Sequence, residues 1–318
     1  MLSYRRILKQ ALDISWRYKK LWFFGLFASL IGFNAEYQVT PGRNGGLVFN
    51  SPLKNWLETD IFGYIGQLFS ADFSRGFIFL IACLIFLALG LLLVWLAVSS
   101  QAAIIESNKK LMLGTKKISI NEELKNGSHN FWPVLLLNIF SKLITVAALS
   151  IIALPVLLSL KFPICSEILY IVFFIIFVAL AIAGQIIIKY AINSTVIFKT
   201  NIGQSLKAGH ILLKKNWLIS IEIIIILFLI NIGVALAVFI CLFAILSPML
   251  LLAILAYQFL AGAALWIIMA IAFLICIVFL GVVGAMLTSF HISSWSNLFL
   301  QLQEKGSKAK LERLFGKK

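Results

Sequence analysis

Six long apolar stretches, separated in turn by lysine-rich and lysine-poor segments, decide what this chain can fold into. They cover residues 16–33, 77–105, 134–160, 168–191, 217–246 and 263–290. A helix needs about 20 apolar residues to cross the hydrocarbon of a bilayer, and only a segment that satisfies its own backbone hydrogen bonds can do so. With 62% hydrophobic and 12% charged residues, the chain carries more apolar side chains than a water-soluble core can hide. The expected fold is therefore all-α: a polytopic membrane helical bundle of six transmembrane helices in three hairpins, one membrane domain over 1–300 with a basic tail over 301–318. The first span is the shortest. Its apolar core is Leu21 to Phe33, so the helix is expected to start near Trp16, with Arg17, Lys19 and Lys20 reaching back to the phosphates. A signal peptide also joins a basic stretch to a short apolar one, but cleavage after Ala35 would put bulky Phe33 where a small residue is needed.

Lysine and arginine placement gives the orientation. The N-terminal arm, Glu106–Trp132, Lys189–Asn216 and the segment after Phe290 hold 22 of the 27 basic residues; Arg43, Lys54, Arg75 and Lys161 face the other way, and Lys142 lies inside a span. Counting acids, the first set carries +16 and the second −1. Both termini are expected to be cytoplasmic, in the inner (plasma) membrane of a bacterial-type cell. The net charge of +15 is thus a matter of topology. Its nearest counter-charges are anionic lipid headgroups, which argues for membrane lipids as partners and against nucleic acid.

A unit recurs three times. Leu8-Lys9-Gln10-Ala11, Leu124-Lys125-Asn126-Gly127 and Leu206-Lys207-Ala208-Gly209 each precede a tryptophan (Trp22, Trp132, Trp217) that opens a span. In the first copy Tyr4, Ile7, Leu8, Ala11, Leu12 and Ser15 recur at helical spacing, while Arg5, Arg6, Lys9, Asp13 and Arg17 take the other side, the pattern of an interfacial helix. In the second, Ser119 and Glu122 have capping-box spacing and Gly127 suits a helix end. The third carries Lys207, Lys214 and Lys215 without an acid. The competing explanation is generic basic flanking of spans. On the opposite side, Ser51-Pro52 is expected to open a helix in which Leu53, Trp56, Leu57 and Ile61 share a face, and the apolar, charge-free segment 247–262 to dip into the outer interface.

Ionisable residues inside spans point to function because they are expensive there, about 2.5–3.5 kcal/mol at a helix centre. Lys142 and Glu222 are the two, both expected in the inner half of the bundle and within reach of each other. Asn138 is one turn from Lys142, and Gln185 one turn from Lys189. Asn138, Lys142, Gln185 and Glu222 are thus expected to line a polar pocket for a headgroup or small solute. The competing account is a buried ion pair with amide bonds that fixes helix packing. Asn231 is expected to bond between helices.

Catalytic patterns are missing. His129, His210 and His291 flank spans without an HExxH, GxSxG or P-loop arrangement. Cys83, Cys241 and Cys276 fall in apolar spans and no CxxC occurs, so no metal or cofactor is expected.

The segment from Val196-Ile197-Phe198 through Ser205-Leu206-Lys207-Ala208-Gly209 to Lys215-Asn216-Trp217, and the closing Trp295-Ser296-Asn297-Leu298-Phe299, resemble bacterial six-span proteins related to the membrane domain of glycerophosphoryl diester phosphodiesterases. In the enzymes of that name a separate soluble domain, with metal-binding carboxylates and histidines, carries the hydrolysis. Residues 291–318 leave no room for one, so the resemblance implies a membrane module without that activity. The expectation is a non-enzymatic protein that organises, binds or helps move lipid or envelope components, with a transporter or permease subunit as the alternative.

Overall fold

The computed structural model describes residues 4–31, 73–114, 119–159, 165–259 and 262–304. The helix expected over 51–61 and the tail from 305 onward lie outside them. Among the described residues every regular element is an α-helix: α1 (Tyr4–Arg17), α2 (Lys20–Ser29), α3 (Phe73–Met112), α4 (Ile120–His129), α5 (Phe131–Ser159), α6 (Cys165–Phe198), α7 (Ile202–Phe259) and α8 (Gly262–Glu304). Five are long and apolar enough to cross a membrane: α3, α5, α6, α7 and α8. The chain is a multi-pass membrane protein.

The expected first span is divided. Helix α1 ends at Arg17 and α2 begins at Lys20, so Trp16 belongs to the amphipathic helix and does not start a crossing. The 10 residues of α2 rise about 15 Å, half of a hydrocarbon core. A sixth crossing would need residues beyond Ile31, outside the described set. The segment expected to dip after the fifth span is instead helical through Pro248 as far as Phe259, a continuation of α7.

Three of the helices outrun the apolar stretches that announced them. Helix α3 continues past Ile105 to Met112, α6 past Ala191 to Phe198, and α8 past Phe290 to Glu304. These extensions are polar, and they are buried: Ser107 and Asn108 on α3, Asn193, Ser194 and Thr195 on α6, and Ser293, Ser294, Ser296 and Asn297 on α8. The apolar portions are exposed, as with Phe77 to Trp95 on α3 and Ile267 to Val282 on α8. Water does not tolerate apolar surface of that extent; lipid does, since it exerts no hydrophobic penalty. Burial follows protein–protein packing, and the apolar surface is left for the bilayer.

Contacts divide the chain into two compact units: residues 1–33, 97–141 and 183–318 in one, and 34–96 and 142–182 in the other. The described part of the second holds the N-terminal portion of α3, the C-terminal portion of α5 and the start of α6, with Leu84, Phe86, Leu143, Val146, Ile171 and Ile175 all exposed.

The first unit contains all three amphipathic helices, each ending in a break. α4 stops at Asn130 (φ −97°, ψ 16°), and Asn216 (φ −131°, ψ 35°) interrupts α7. The corresponding break after α1 lies at residues 18–19, where the Trp22 indole donates to the Ser15 carbonyl at 2.8 Å. Beside the breaks, Trp16, Trp132 and Trp217 are each more than half exposed, as residues of an aromatic belt at the headgroup level are. Trp22, which follows the first break as Trp132 and Trp217 follow theirs, is half-buried.

Small residues fix how the amphipathic helices pack. A β-carbon on Gly127 would run into the Ser99 carbonyl and the Ala103 amide of α3, and one on Gly209 would meet the Ile187 carbonyl and the Ala191 amide of α6. The matching residue of the first copy, Ala11, is fully buried with Ile7 and Ser15; Ser15 donates to the Met286 carbonyl of α8 at 3.4 Å. The second and third amphipathic helices thus each lie on the long helix preceding them, and α1 lies on α8. Gly127 serves this close approach within α4 and does not end the helix. Of the expected capping box, Ser119 is the N-cap, but its side chain makes no capping bond.

Candidate functional site

The extensions of α3, α6 and α8 carry a cluster of buried polar side chains in the first unit, and amides, hydroxyls and lysines bond between its helices. Asn108 Nδ2 of α3 donates to Asn297 Oδ1 of α8 at 2.6 Å and to the Ser293 carbonyl at 3.4 Å. Tyr190 of α6 and Ser220 of α7 share a hydroxyl hydrogen bond of 2.7 Å. The Lys189 ammonium stands 4.7 Å from the centre of the Trp295 ring, which packs edge-on against Tyr190. This contact stabilises a buried cation through the ring quadrupole. The neighbouring Asn231 Oδ1 lies 2.8 Å from His291 Nε2, the interhelical bond expected of that asparagine.

The four residues singled out from sequence are placed differently. Asn138 of α5 donates to Gln101 Oε1 of α3 at 2.8 Å and to its own Val134 carbonyl at 2.9 Å. Gln185 of α6 pairs in both directions with Ser141: its Oε1 accepts from the Ser141 hydroxyl at 2.5 Å, and its Nε2 donates to the Ser141 carbonyl at 2.9 Å. Glu222 is buried on α7. Lys142 is exposed on α5, the first residue of that helix to fall in the second unit. The bonds of Asn138 and Gln185 therefore meet α5 on successive turns, at Asn138 and Ser141, one leading to α3 and the other to α6. Their partners Gln101 and Ser141 were missed because a polar residue in an apolar run reveals its partner only when helices are docked.

Several buried polar atoms of this region have no hydrogen-bond partner among the described residues: Asn108 Oδ1, Asn193 Oδ1, Asn297 Nδ2, Trp295 Nε1 and Gln101 Nε2. Serine hydroxyls can turn onto the carbonyl one turn back, as Ser294 does to Phe290 at 2.8 Å; amide and indole groups have no such recourse. Asn108 Oδ1 and Asn297 Nδ2 are the two unused halves of one amide pair, an acceptor and a donor.

At the edge of the region a charge pair joins α4 to α3. Lys110 Nζ lies 2.8 Å from Glu123 and 3.8 Å from Glu106, with Glu123 buried. Lys109 Nζ donates to the Ile197 carbonyl at 2.9 Å, capping the last turn of α6 with a cation where the helix dipole favours one. Among the described residues no group of three histidine, cysteine or carboxylate side chains is placed to hold a metal ion.

On the outside, the basic side chains of the amphipathic helices are turned away from the packing faces. Arg5, Arg6, Lys9 and Arg17 on α1, Lys125 on α4, and Lys207, Lys214 and Lys215 on α7 are all exposed. No protein family, curated protein or solved structure matches this chain.

Proposed function

We propose that this protein is a non-enzymatic module of the inner membrane that binds and organises anionic lipid on the cytoplasmic side. The observation carrying the proposal is the arrangement of the three amphipathic helices. Each is held by a small residue on a long helix, so that its lysines and arginines remain exposed beside an exposed tryptophan. Each basic residue near an anionic surface contributes about 1 kcal/mol. The positive-inside distribution puts the three helices on the cytoplasmic side with both termini, and the resemblance to six-span membrane modules supports the same reading.

The test is lipid retention. The purified chain, extracted from vesicles of phosphatidylcholine and phosphatidylglycerol in equal amounts, should carry phosphatidylglycerol in excess. Replacing Lys207, Lys214 and Lys215 by Gln should lower that excess. Equal retention of both lipids by the unaltered chain would sink the proposal.

A second reading, a transporter or permease subunit, draws on the unpartnered amides around α3 and α8. It requires water to reach them. Cysteines in place of Asn138 and Gln185 should then react with a water-soluble thiol reagent in intact membranes, whereas unreactive positions leave the helix-packing role of those amides.

A further inference from the structure

The first unit holds a groove of about 490 Å³ between α1, α7 and α8, within the roughly 300–1,000 Å³ of small-molecule sites. Leu8 and Leu12 of α1, Val234 of α7 and Met286 of α8 contribute to its walls; Arg5 and Lys9 of α1 are its charged residues, and no acid lines it. Arg5 and Lys9 are four residues apart, as are Leu8 and Leu12, so each pair shares a side of the helix. One edge of α1 therefore offers two cations and the adjoining edge two leucines. Among the residues of the walls Leu12 is exposed, as are Arg5 and Lys9, so the groove opens at the surface along α1, whose apolar edge faces lipid. A peptide strand laid there would have no partner for its backbone groups; an acyl chain has none to satisfy.

We infer that this groove takes one acyl chain of an anionic phospholipid from the surrounding bilayer, with Arg5 and Lys9 holding the headgroup phosphate. The inference rests on the lipid-binding reading above and narrows it to one site. It also gives α1 a role distinct from its two counterparts: the groove is built by α1 with α7 and with α8, the helix on which α1 is docked.

Native mass spectrometry of the full chain tests it, after extraction from equal phosphatidylcholine and phosphatidylglycerol. Arg5→Gln with Lys9→Gln should cut the preference for phosphatidylglycerol by about 25-fold, two charges at about 1 kcal/mol each. Both residues are exposed, so the pair of changes leaves the core intact. Val234→Trp, which fills the groove, should remove one bound phospholipid of either class. An unchanged lipid count in Val234→Trp, or an unchanged preference in the double variant, overturns the inference. So does a chain that dimerises through the groove, recognised by dissociation on Val234→Trp with no lipid lost. If Lys207, Lys214 and Lys215 govern the preference while Arg5 and Lys9 do not, the groove assignment falls alone; if the unaltered chain shows no preference, the general reading falls with it.

Discussion

Single atoms decide how tightly the first unit closes. Gly209 admits no β-carbon without displacing the backbone of α6, whereas Gly203, six residues earlier on the same amphipathic segment, has open space around it. Gly209→Ala should therefore cost about 1–3 kcal/mol by overpacking, read as a lower melting temperature in detergent. Gly203→Ala should be neutral or raise stability by up to about 1 kcal/mol through helix propensity; equal effects at the two sites would refute the packing role. The Asn108–Asn297 pair makes a second prediction. Asn297→Leu leaves a buried amide without its acceptor and should cost about 1–3 kcal/mol, whereas replacing both asparagines by Leu should restore much of the loss. A double-mutant cycle measures that difference. Nothing in the sequence pairs these two residues, because Asn108 lies past the second apolar stretch and Asn297 past the last one.

At the scale of elements, the unit to compare is an amphipathic helix, a break and a long helix. The tetrapeptide was legible three times, and its last residue proves to be the contact point on the neighbouring helix in the second and third copies. Its basic partner at the second position stays outside: Lys9, Lys125 and Lys207 are all exposed. What sequence reading took for cytoplasmic loops is largely helix, since Glu106–Met112 and Ile192–Phe198 extend α3 and α6. Hydropathy marks where lipid begins and does not mark where a helix ends. The turn between α6 and α7 offers a test. Lys199 adopts a left-handed conformation (φ 54°), which costs a residue with a β-carbon about 1–2 kcal/mol and glycine much less. Lys199→Gly should raise thermal stability by up to about 1 kcal/mol; a loss would mean that the Lys199 side chain contributes more than its backbone strain costs.

For the whole molecule, the exposed apolar surface is the dominant fact. Cys83 and Cys241 are exposed on helices with long apolar faces, so their thiols should resist a membrane-impermeant maleimide in intact membranes and react once detergent and denaturant are added. Labelling of both in sealed vesicles would contradict their burial in lipid. Reporter fusions at Met1 and Lys318 should likewise report one shared compartment. Sequence alone determined that this chain belongs in a bilayer, which stretches are apolar enough to lie in hydrocarbon, and where its basic residues accumulate, because transfer from water to hydrocarbon depends on each segment's own composition. Tertiary structure decided which polar groups meet. Lys142 and Glu222 were expected within reach of each other in the inner half of the bundle, and one is exposed while the other is buried. Asn108 and Asn297 are far apart in the chain and share a hydrogen bond. A buried polar group must find a partner across helices, and which helices touch is set by small residues such as Gly127 and Gly209, whose effect exists only once two surfaces are brought together.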